Sequence, residues 1–158
     1  MDFMGTSAPP SIALSVSIVS SLLLGIFVLW QNPKRRTHQL LGVLCVALGL
    51  WAAGVLWIVH THDTATASLA IIATFIVSTS LPALFYHFVC YFPHQKFDGR
   101  RTVLAVLYVG GVLLSAMTLS PWYLTRVEVT PTGPPTVVYG PVFNSLSLLV
   151  AFAMVFSF

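Results

Sequence analysis

A single histidine interrupts the apolar interior of this chain: His87, in the run Phe85-Tyr86-His87-Phe88. An imidazole in that setting can bond across helices, contact a ligand, or ligate a haem iron. A haem needs a second axial ligand at similar depth. His60 and His62 fall near the opposite boundary, and His38 and His94 at best approach the near one, so no haem, metal or other cofactor is expected. Just upstream, Ser78-Thr79-Ser80-Leu81-Pro82 sets a helix breaker behind three hydroxyls. Proline removes a backbone donor and crowds the preceding turn, and hydroxyls can satisfy the carbonyls it frees. A kink is expected, either shaping the bundle or acting as a pivot between leaflets. Tyr86 and Trp51 complete the candidates for ligand contact or packing, with His87 and Pro82.

No other chemistry is spelled out. The chain has no phosphate-binding loop, no dinucleotide fingerprint, no metal-spaced Cys/His cluster and no nucleophile elbow. Its four acidic residues are scattered over loops and cannot form a paired-carboxylate site. Cys45 and Cys90 fall in apolar stretches and read as small packing residues. No catalytic activity is expected, and a pump or ion-coupled transporter is disfavoured because no charged residue lies inside an apolar stretch.

The elements that must position these residues are set by hydropathy. Hydrophobic residues make up 57% of the 158 and charged ones 7%, against about 25% charged in soluble domains. A spanning helix needs about 20 apolar residues. Such stretches run over 11–30, 39–60, 68–92 and 102–120, and a fifth over 142–158, at the short limit. The expected fold is therefore all-α: one membrane domain over residues 1–158, a bundle of about five spanning helices. The 121–141 loop alternates through Arg126-Val127-Glu128-Val129-Thr130, turns at Pro131-Thr132-Gly133-Pro134 and returns through Thr136-Val137-Val138-Tyr139, which predicts a small hairpin. Small residues recur along the second helix (Gly42, Gly49, Ala52, Ala53, Gly54) and the fourth (Gly110, Gly111, Ser115), which allows close backbone approach in lipid. There is no strict GxxxG pair to signal dimerisation.

Six of the seven basic residues sit in two loops: Lys34, Arg35 and Arg36 in one, Lys96, Arg100 and Arg101 in the other. Short Lys/Arg-rich loops stay in the cytoplasm. They determine the topology: N-terminus out, 31–38 in, 61–67 out, 93–101 in, 121–141 out. Trp30, Tyr91 and Phe92 mark the inner interface, and Trp57, Trp122 and Tyr123 the outer one. The segment from Met1 to Ser11 carries only Asp2 and lacks the basic region of a secretory signal, so no cleavage is expected. The net charge of +3 records this loop asymmetry; no nucleic-acid partner follows from it. The expected partners are membrane lipids and other transmembrane helices, through self-association or within a larger complex.

The punctuation carries a resemblance. Asn32-Pro33 is followed by Arg35-Arg36, then by Trp51 in the middle of the second helix. Phe85-Tyr86-His87-Phe88 closes the third helix with Tyr91-Phe92-Pro93, and Gly133 precedes Tyr139-Gly140-x-x-Phe143 in the outer loop. From about Asn32 onward this resembles the N-terminal seven-helix membrane region of some bacterial sensor histidine kinases. There the third helix typically ends in a Phe-x-x-Phe run leading to Phe-Pro. The resemblance implies a sensory input module in the bacterial inner membrane, part of a two-component signalling system. The chain departs from that pattern in offering five helices and no kinase module. It reads as a fragment of a longer sensor or a short relative without its kinase, and no phospho-acceptor histidine can be assigned. The competing expectation is an accessory structural subunit of a respiratory or photosynthetic membrane complex. A small transporter or membrane enzyme ranks last.

Overall fold

A computed structural model describes residues 10–91, 100–120, 123–128, 136–140 and 143. Four helices account for most of them: α1 (Pro10–Gln31), α2 (Arg36–His60), α3 (Thr64–Cys90) and α4 (Arg100–Thr118). All four are long and apolar enough to cross a membrane. The expected fifth helix over 142–158, apart from Phe143, the Lys96 loop position and the tip of the 121–141 loop lie outside the described residues.

Local chemistry sets the helix ends. Pro10 opens α1, a position where its missing N–H costs nothing. Asn32 precedes Pro33 and is therefore driven out of helical geometry, so α1 stops. A turn closes with Arg35 N–H on the Asn32 carbonyl at 3.2 Å, with proline at its second position. Gln39 Nε2 donates to the Pro33 carbonyl at 2.8 Å and pins that turn. The α2 ladder starts at once: the amides of His38 and Gln39 both donate to the Arg35 carbonyl. Hydropathy placed this start three residues later, because Arg36, Thr37 and His38 are polar yet helical. Asp63 caps α3, its carboxylate accepting from the Thr66 amide and hydroxyl at 2.8 Å each. That cap moves the start of α3 from the expected 68 to Thr64.

The helices pack in chain order, each against the next, and β1 lies against α3. Small residues line the contacts. A Cβ built on Gly54 would collide with the Thr74 hydroxyl on α3, and one on Gly111 would come within 3.3 Å of the Thr79 carbonyl oxygen. Ala67 and Ala70 are fully buried, whereas Val112 is 68% exposed. This inverts the soluble arrangement, in which large apolar residues fill the interior. It is the arrangement expected where lipid solvates the outer face and small residues let backbones approach.

After α4, β1 (Leu124–Glu128) pairs antiparallel with β2 (Thr136–Tyr139). The register runs Leu124↔Tyr139, then Arg126↔Val138, Val127↔Val137 and Glu128↔Thr136, with an irregularity between Leu124 and Arg126. Val127 is buried with Ala67 and Ile71, and Ile58 and Val137 pack against them. The strand pair is therefore seated at the end of the bundle where α2 finishes and α3 begins, opposite the Lys34-Arg35-Arg36 turn.

Candidate functional site

Three helices meet in a polar junction near the basic end. His87 stands three residues before the end of α3. Its Nδ1 hydrogen-bonds Tyr108 Oη on α4 at 2.9 Å, with the rings edge-on at 5.8 Å. One turn further on, at the C-cap of α3, Tyr91 lies 5.4 Å from the imidazole. Arg36, the first residue of α2, donates from Nη1 to Tyr91 Oη at 3.0 Å. A continuous chain thus runs Arg36–Tyr91–His87–Tyr108 across α2, α3 and α4. In the interfacial and apolar layers such bonds are worth about 0.6 kcal/mol each, up to about 1.7.

A second polar contact joins α3 to α4 on the other side of Pro82. Thr79 Oγ1 and Ser115 Oγ lie 2.8 Å apart. Thr79 Oγ1 also lies 2.9 Å from the Ile76 carbonyl, and Ser115 Oγ 2.8 Å from the Gly111 carbonyl. A carbonyl only accepts, and each hydroxyl has one proton. Two protons therefore serve three contacts, and the pair has alternative donor arrangements of similar geometry. Gly111 makes the approach possible. Between the two contacts lies a cleft of about 300 Å³ lined by Thr79, Ala83, Tyr108, Gly111 and Ser115 among others.

Pro82 itself is half-buried within a continuous α3. The Ser78 and Ser80 hydroxyls donate to the carbonyls of Phe75 and Val77 at 2.9 and 2.7 Å, and the Thr79 hydroxyl lies 2.9 Å from that of Ile76. The carbonyl that Pro82 deprives of its helical amide is that of Ser78. The hydroxyls thus support the turn before the break rather than the freed carbonyl itself.

At the strand end, Phe75 of α3 meets Tyr123 and Phe143, and Tyr139 lies against both of these rings. Tyr139 and Phe143 stack at 3.9 Å, and Tyr123 lies 4.8 Å from Phe75. The Gly140 amide donates to the Tyr123 carbonyl at 2.8 Å, and the Phe143 amide to that of Gly140. Tyr123 is fully buried, and its Oη has no hydrogen-bond partner among the described residues. Burial, and secondarily Tyr139, raise the Tyr123 phenol above its usual range.

The singled-out residues separate accordingly. His87 and Arg36 belong to one junction. Tyr86 is half-buried on the same stretch of α3. Trp51 is 40% exposed on α2 and contributes no contact to the junction among the described residues. Lys34, Arg35 and Arg101 are exposed; Arg100 begins α4. Tyr108, Thr79 with Ser115, and the Tyr123 cluster were not marked as a site by the sequence reading. A lone phenol in an apolar helix was the available signal for Tyr108, since its hydroxyl needs a partner. Among the described residues no three His, Cys, Asp or Glu side chains converge as a metal site would require. Neither Cys45 nor Cys90 is disulfide-bonded.

Residues 13–158 match the family described as the N-terminal 7TM region of histidine kinase. The chain belongs to that family, a membrane input region that is itself non-catalytic. No curated protein and no solved structure matches it.

Proposed function

We propose that this chain takes up a signal in the bilayer or at the strand end and passes it along α3 as a helix shift toward the basic end. One observation carries the reading: α3 is fastened to α4 by two polar contacts, Thr79–Ser115 and His87–Tyr108, on either side of Pro82. The proline loosens the ladder between them, so the two halves of α3 can turn relative to one another. The family supplies the output class, a histidine kinase module that reads the shift.

In this reading the turns bearing Lys34, Arg35, Arg36, Lys96, Arg100 and Arg101 face the cytoplasm of a bacterial cell, and the strand pair faces outward. A fifth span over 142–158 follows the outer loop. The partners are lipid and further transmembrane helices, and nucleic acid plays no part. The chain contributes no catalysis of its own.

Autophosphorylation of the full-length gene product in native membrane vesicles tests the proposal. Pro82→Ala and Ser115→Ala should each change the rate about five-fold or more, the lower range of coupling free energies between sites, with insertion intact. Wild-type rates in both variants, or a gene product that neither contains nor binds a kinase, would overturn it.

A further inference from the structure

We infer that the α2–α3–α4 junction is a binding site for a phosphate-bearing anion, held between the Arg36 guanidinium and the His87 imidazole. The two side chains come from different helices and both stand against the Tyr91 ring. Arg36 spends Nη1 on Tyr91 Oη, which fixes the guanidinium and leaves further N–H groups of the fork for an acceptor. His87 commits Nδ1 to Tyr108, and Nε2 has no hydrogen bond among the described residues. When Tyr108 O–H donates to Nδ1, Nε2 carries the ring proton and donates outward. Planar donors from a guanidinium fork and an imidazole N–H suit a tetrahedral oxyanion.

Charge supports the same assignment. Lys34, Arg35 and Arg36 follow one another at this end, exposed. Asp63 and Glu128 lie at the opposite end of the molecule, and the 93–101 loop at this end sets one acidic residue, Asp98, against Lys96, Arg100 and Arg101. Arg35 as N-cap of α2 makes no side-chain capping bond, and the first turn has no acidic residue. Cations here add to the positive end of the helix dipole instead of offsetting it, and an external anion relieves that repulsion. Position selects the source of phosphate. Arg36 begins a spanning helix and His87 stands three residues from the end of another, at about 1.5 Å rise per residue, within the depth of lipid headgroups. Basic pockets between transmembrane helices hold anionic headgroups in this way.

The test is a titration of the full-length protein in phosphate-free maltoside micelles, following tryptophan fluorescence and, by native mass spectrometry, retained ligand. Phosphatidylglycerol and inorganic phosphate form separate arms. Saturable retention of the lipid at micromolar concentration, with Arg36→Gln and His87→Phe each weakening it about ten-fold and His62→Gln leaving it unchanged, is the expected result. Arg36→Lys keeps the charge without the fork and should fall between. A response to inorganic phosphate alone with the same variant pattern assigns the site to free phosphate. Equal weakening by His62→Gln or Arg101→Gln, no weakening by Arg36→Gln and His87→Phe, or no saturable binding of either ligand would overturn the site. None of these readouts depends on a kinase, so the outcome is independent of the signalling proposal.

Discussion

His87 makes its hydrogen bond to Tyr108 across 21 residues of sequence, and removing either partner breaks the link between α3 and α4 there. His87→Ala and Tyr108→Phe should each lower stability by about 1 kcal/mol, measured by unfolding in mixed micelles, and the double variant should lose less than the sum. His62→Ala, at an exposed position, should be silent; equal tolerance of His62→Ala and His87→Ala would remove the junction's structural weight. Tyr123 is the opposite case. Its hydroxyl is buried without a partner among the described residues, and such groups cost about 1–3 kcal/mol. Tyr123→Phe should therefore be neutral or stabilising by up to about 1 kcal/mol. A larger loss would reveal a partner for that hydroxyl.

At the scale of elements, the turn between α2 and α3 works through Asp63. The Thr66 amide, and then its hydroxyl, hold the Asp63 carboxyl below its usual 3.8. A lowered folded-state value stabilises the fold above the unfolded value and loses that contribution as pH falls through the folded one. This helix start should thus be insensitive to pH from neutral down to about pH 4 and weaken only in stronger acid. Asp63→Asn, which still accepts from Thr66, should flatten the acid limb in a circular-dichroism titration; an unchanged limb would point to other groups. The cap also explains why α3 begins four residues before its hydropathy does. Capping depends on one side chain, whereas a hydropathy window averages over many.

For the whole molecule, the decisive contrast is small residues inside and large apolar residues outside. Ala67, Ala70 and Ala83 are buried, while α1 and α4 present valines, leucines and isoleucines outward. Only lipid makes that surface stable in a monomeric unit. Orientation then follows from where the cations are placed. Moving Lys34, Arg35 and Arg36 into the 61–67 turn should invert or scramble insertion, read by reporter fusions along the chain. Unchanged topology would show that something other than loop charge orients the bundle.

The sequence by itself determined the solvent of this protein, the approximate position of its four described helices and its family, because hydropathy, proline breaks and aromatic punctuation are local properties. His87 and Pro82 were legible for the same reason: each stands out against its immediate neighbours. What His87 would meet was not. Arg36 reaches Tyr91 across 55 residues, and Thr79 meets Ser115 across 36. Such pairings depend on the rotation and depth of each helix against the next, which glycines such as Gly54 and Gly111 set by removing a single carbon. Only the tertiary structure decided that Arg36 joins His87 at one end of the bundle, and that Tyr123 is buried among aromatic rings at the other.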